Sequence, residues 1–146
     1  MLRRILDSLF GERPLPKEPF RDPLLGTLVP GELGWTVSLE AQGHSFKFTI
    51  GGKNEPAVAL LAHARDIVND IEAFERSVKA YINSESSDYP EEVKAELAEL
   101  EIDNVALFWP DRPNDGMIFF RGAERDIGLW RCDYIGRTPR GLGCDT

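Results

Sequence analysis

The chain has 146 residues, the size of one domain, and at that length folding buries roughly 68–70% of the unfolded surface, so stability requires no metal or disulfide. Hydrophobic residues make up 42% and charged residues 29%, a globular balance that excludes wholesale disorder. The formal net charge of −8 repels phosphate backbones, which argues against general nucleic-acid binding and favours basic protein partners.

Residues 1–11 carry a short amphipathic pattern, with Leu2, Ile5, Leu6, Leu9 and Phe10 at helical spacing and Gly11 as a stop. Asp7 and Ser8 interrupt the apolar run, and no small-residue cleavage site follows, so it does not read as a signal peptide. No apolar run approaches the ~20 residues of a membrane span. Cys132 and Cys144 are the only cysteines, too few for a secreted disulfide scaffold, and the expected compartment is the cytoplasm. Residues 12–23 contain Pro14, Pro16, Pro19 and Pro23, which forbid regular helix and predict an extended tether. The expected organisation is therefore a helix at 1–11, a tether at 12–23 and a single α+β domain over 24–146.

That domain opens with a strand near Leu24–Val29, ended by Pro30-Gly31. Apolar residues then alternate from Trp35 to Ala41 and again from His44 to Ile50, with Gln42-Gly43 between them as a two-residue turn. The turn pairs Ala41 with His44, Leu39 with Phe46, Val37 with Phe48 and Trp35 with Ile50, all on one face, so turn and pattern agree on one register. Thr36, Ser38, Lys47 and Thr49 fall on the more polar side. Asn54 is a suitable helix cap, with Pro56 in the first turn. From there Leu60, Ala64, Ile67, Ile71, Phe74, Val78 and Tyr81 form one apolar stripe, predicting a long sheet-covering helix to about Asn83. Asp88 and Glu91 resemble a capping box for a short helix with a Val93, Leu97, Leu100 stripe. Strands are expected at Ile102–Trp109, Met117–Arg121 and Ile127–Ile135, with GLGCDT folding back as a last one. The predicted fold is α+β: a mostly antiparallel sheet from N- and C-terminal strand groups, with one long and one short helix packed on one face.

No stretch carries a specific catalytic, nucleotide or metal signature: G-x-S-x-G, H-E-x-x-H, Walker and dinucleotide glycine patterns are all missing. His44, His63, Cys132 and Cys144 contain the ligand types of a Cys2His2 zinc site, but their spacings match no zinc motif, so no metal or other cofactor is expected. If the last hairpin is centred on Thr138, Cys132 and Cys144 face each other, although a cytoplasmic redox poise favours two thiols. Neither thiol is marked as an activated nucleophile by its neighbours. Asp66 and Asp70, four apart on the long helix, read as a solvated face before an acid–base pair.

The most suggestive surface is the C-terminal third, where Arg112, Arg121, Arg125, Arg131, Arg137 and Arg140 accompany Trp109, Trp130 and Tyr134. These residue types dominate binding hot spots, and Trp109, Arg112, Arg131, Tyr134, Arg137 and Arg140 are the candidate partner-binding set. The competing expectation puts both tryptophans in the core with solvated arginines around them. Leu2, Ile5 and Leu9 of the first helix are the other candidates, for a membrane surface or a partner's groove; a helix this short is not stable alone in water, so docking onto its own domain or onto a second copy is the expected fate.

The order of an LGTL strand, a W-x-V-x-L / F-x-F-x-I hairpin, a long helix and a final LWRCDYIGRTPRGLGCDT resembles small bacterial domains of unknown function, some of them immunity-type proteins beside toxin systems. The resemblance covers residues 24–146 and implies an α+β fold and a binding role, with no catalytic residues. The expected function is a non-enzymatic, soluble protein-interaction module acting on a basic partner or as a homodimer. The alternative is a small ligand-binding domain or enzyme with a pocket near His44, His63 or the C-terminal arginines.

Overall fold

The computed structural model describes residues 18–41, 43–122 and 129–145. It contains a sheet of eight strands in the order β1-β2-β3-β4-β5-β6-β7-β8: β1 (Phe20–Asp22), β2 (Gly26–Pro30), β3 (Trp35–Ala41), β4 (His44–Ile50), β5 (Glu101–Leu107), β6 (Gly116–Arg121), β7 (Leu129–Ile135) and β8 (Thr138–Asp145). Every neighbouring pair is antiparallel except β4 and β5, which run parallel. A parallel step needs a crossover connection. Here it holds three helices: α1 (Val58–Asn69), α2 (Ile71–Ser86) and α3 (Glu91–Ala98). The fold is α+β and mostly antiparallel, as the sequence pattern requires.

The β3–β4 hairpin has the expected register, from Trp35 opposite Ile50 to Ala41 opposite His44. Trp35, Val37, Phe46, Phe48 and Ile50 are buried against the helices together with Leu60, Ala64, Ile67, Phe74, Val78 and Ile82. On the opposite face Ser38 and Lys47 are exposed, as alternation predicts, whereas Thr49 is buried and its hydroxyl donates to Asn104 Oδ1 at 3.1 Å.

Several local expectations change. Residues 20–22, assigned from sequence to the tether, form edge strand β1. The Asp22 carboxylate is buried there, accepts the Leu24 and Leu25 amides at 3.0 and 2.8 Å, and pairs with Arg65 of α1. The long helical stretch breaks at Asp70 (φ −135, ψ 52), which divides it into α1 and α2. Asn54 does not cap α1, whose N-cap position is Ala57; Pro90, not Asp88, occupies that position in α3, and neither cap makes a side-chain bond. The last hairpin turns at Gly136-Arg137, both at positive φ (57 and 66), the type I′ geometry that suits a two-residue hairpin loop. Trp130 therefore lies opposite Cys144, which leaves Cys132 out of register with it, and both cysteines are free thiols. No helix among the described residues is long and apolar enough to cross a membrane.

Candidate interaction surfaces

The six C-terminal candidates do not form one surface. Strand alternation separates them, because odd and even positions of β7 point to opposite faces. Tyr134 and Trp130 are buried beneath the helices, and Tyr89 meets Trp130 edge-on at 5.7 Å. Arg131 points to the other face, where it donates to the Asp145 carboxylate at 2.8 and 3.3 Å and holds that carboxyl below the usual range. Arg140, opposite Asp133, is exposed.

Trp109, Arg112 and Arg137 do gather, at the end of the sheet where β5 leaves. The Arg112 guanidinium lies 4.5 Å over the Trp109 ring within the β5–β6 loop. That loop is fastened to the β7–β8 turn: Arg137 N–H donates to Asn114 O at 2.9 Å, Gly136 N–H to Asp115 Oδ1 at 2.8 Å, and Arg137 Nε to Asn114 Oδ1 at 2.8 Å. Arg137 also reaches Asp66 of α1 at 3.0 Å, so Asp66 serves an ion pair at the helix–sheet junction. These arginines are engaged with carboxylates, an amide and an indole of their own chain.

His63 lies beneath this rim, only 2% exposed. Its Nδ1 bonds the Pro113 carbonyl oxygen, which can only accept, so Nδ1 carries the proton. Its ring stacks on Tyr134 with centroids 5.5 Å apart, and Phe74 meets Tyr134 at 5.7 Å. The buried Nε2 has no hydrogen-bond partner among the described residues. Burial drives the His63 pKa down, and the Arg137 charge adds to this; the Pro113 carbonyl and Asp66 oppose it and are outweighed. Burial likewise pushes the Cys132 thiol up to about 12 and raises Cys144. The side chain of His44, together with Leu2, Ile5, Leu9 and Arg125, falls outside the described residues. Among the described residues no His, Cys, Asp and Glu side chains cluster in a way that could hold a metal ion.

A well-formed concavity lies elsewhere. A groove of about 730 Å³ runs between α2 and the facing ends of β5 and β6. Its floor is apolar and buried: Val78 and Ile82 from α2, Leu100 and Ile102 at the start of β5, and Phe120 at the end of β6. Charged residues rim it, with Glu72, Glu75 and Glu101 against Arg76 and Lys79. Neither His63 nor any C-terminal candidate arginine belongs to its lining. The sequence pattern places Val78 on the core stripe. The groove arises only when the end of that stripe meets two strands far along the chain.

No protein-family profile matches the chain, no curated protein matches its sequence, and no solved structure matches its fold. The likeness to immunity-type domains rests on the sequence pattern alone.

Proposed function

We propose that this chain is a non-enzymatic protein-interaction module, of the immunity type its sequence pattern resembles, and that it receives a helical segment of a basic protein partner. The observation that carries this reading is the groove along α2, with its apolar floor of Val78, Ile82, Leu100, Ile102 and Phe120 inside a charged rim. An apolar centre with a polar border is the usual anatomy of a protein interface, and a groove beside a helix is a common seat for an amphipathic helix. The net charge of −8 favours a basic partner by steering and suppresses binding to nucleic acid.

Ala80 lines the groove and is solvent-exposed, so Ala80→Arg obstructs it without touching the core. Tagged wild-type protein should retain a stoichiometric basic partner from its own lysate through moderate salt, and the variant should lose it while melting at the same temperature. Equal recovery by both proteins would place binding elsewhere. A second reading, a small-ligand site, draws on the same cavity, since about 730 Å³ lies within the range of small-molecule pockets. Thermal-shift screening of wild type against Ala80→Arg separates the two.

A further inference from the structure

Among the described residues, one face of the sheet carries no helix. All three helices lie in the crossover between β4 and β5 and cover the face that presents Trp130, Cys132 and Tyr134. Strand alternation sends Leu129, Arg131, Asp133 and Ile135 of β7 to the open face. Leu129 and Ile135 are 47% and 39% exposed there, although the solvated side of an antiparallel sheet is ordinarily polar. Beside them on β6, half-buried Met117 and Phe119 stand opposite Asp133 and Arg131.

We propose that this open face joins a second copy of the chain, sheet against sheet, about a two-fold axis that crosses the strands level with Cys132. Charge complementarity selects the occupant. Down β7 the open face reads apolar, positive, negative, apolar. A copy turned about that axis runs its own β7 antiparallel over the first, so Leu129 meets Ile135 and Arg131 meets Asp133, each contact made twice by symmetry. The same rotation lays Met117 over Phe119. Both charges are available for the contact. The Arg131 guanidinium gives Nε and Nη2 to Asp145, which leaves its Nη1 donors. The Asp133 carboxylate has no hydrogen bond or ion pair among the described residues, and Arg140 stands opposite it without bonding it. Chains of charge −8 repel one another in most orientations, so two copies meet where opposite charges alternate.

The face is also large enough. From β3 to β8 it spans five strand spacings, about 24 Å, by about 23 Å along a seven-residue strand. That is about 550 Å² on each copy before side-chain relief, so the pair clears the roughly 1,000 Å² of a specific interface. Face-to-face sheets pack about 10 Å apart with their inner side chains interdigitated, the arrangement this pairing requires.

Sedimentation equilibrium of the full chain should give twice the 16.4 kDa chain mass, with a Kd on the order of micromolar for an interface of this size. Arg131→Asp sets carboxylate against carboxylate and Asp133→Arg sets guanidinium against guanidinium, so each variant alone should pair roughly a hundredfold more weakly. Mixed in equal amounts the two should pair again, since each supplies the charge the other lacks. Ile135→Glu, at an exposed position, should also give monomer, and it keeps the test open if Arg131→Asp disturbs the contact with Asp145. Circular-dichroism melts check that every variant is folded. A wild type still monomeric at about 100 µM, well above that Kd, would overturn the proposal and leave the face to a different protein. So would a dimer that none of these substitutions weakens, which would pair through another face. Single variants that lose pairing and do not recover it on mixing would refute the antiparallel match. The groove beside α2 opens on the helix-bearing face, so Ala80→Arg should leave the solution mass unchanged, and pairing is tested apart from partner capture.

Discussion

Asp22 should be the most costly polar side chain to remove among the described residues. Its carboxylate is fully buried, accepts two backbone amides at 3.0 and 2.8 Å and binds the Arg65 guanidinium, so a single side chain ends β1, shapes the turn into β2 and ties both to α1. Asp22→Ala leaves the Leu24 and Leu25 N–H groups without their charged acceptor, at about 1–1.5 kcal/mol each. Arg65, whose side chain is 38% exposed, regains water, so its share is discounted to about 0.5 kcal/mol. The total is about 3 kcal/mol, or a fall of about 9 °C in Tm for a domain of this size. Asp22→Asn retains an oxygen for the amides and loses the ion pair, and should cost about 1 kcal/mol. The carboxyl pKa is lowered on folding. Burial alone would raise it, and the Arg65 bond with the two amide bonds overcomes that. The charged form's contribution is therefore complete above the unfolded value of about 3.9 and is lost as pH falls through the lower folded value. Circular-dichroism melts and urea titrations from pH 7 to pH 3 check both points. An Asp22→Ala cost below about 1 kcal/mol, or a wild-type advantage over Asp22→Asn that disappears between pH 7 and pH 5, would refute the assignment.

Two further outcomes follow from the buried groups. His63 has a lowered pKa in the folded state, so its contribution is complete above about pH 6.5 and erodes as pH falls from there toward the folded value. Wild type should lose more stability than His63→Gln between pH 7 and pH 5 in urea titrations, and parallel losses would count against a buried neutral imidazole. Cys132, buried and with its thiol pushed up to about 12, should resist alkylation at pH 8 until the protein unfolds, while partly exposed Cys144 reacts first. Mass spectrometry of timed iodoacetamide reactions counts the two thiols separately; simultaneous labelling would contradict the burial of Cys132.

What the sequence disclosed depended on how many independent signals bore on each element. The β3–β4 hairpin was legible in full because a two-residue turn and a two-residue side-chain period impose the same register. β1 was hidden because Phe20–Asp22 lies between Pro19 and Pro23, and prolines that exclude a central strand are tolerated on an edge. The Arg–aromatic set was legible as composition and not as a surface. Parity along β7 already separates Arg131 from Trp130 and Tyr134, and the arginines' partners, Asp66, Asn114 and Asp145, come from three other segments. Arg137 shows the limit well. Its positive φ favours glycine, yet its side chain joins α1, the β5–β6 loop and the last hairpin, an association no local pattern announces.

The break at Asp70 connects fold to function. A straight helix over residues 58–83 would measure about 39 Å, whereas the seven-residue strands beneath it measure about 23 Å, so an unbroken helix could not stay on the sheet along the strand direction. Interrupting it lets α1 remain over β4 while α2 crosses to β8, where Tyr81 Oη accepts the Leu142 amide at 3.0 Å. No glycine or proline marks the site, because the sheet's dimensions and not local propensity require the break. With α2 directed toward β8, its Val78 and Ile82 line the groove together with Leu100 and Ile102 at the start of β5 and Phe120 at the end of β6. The groove is thus walled by the second half of the apolar stripe, the part that follows the interruption at Asp70.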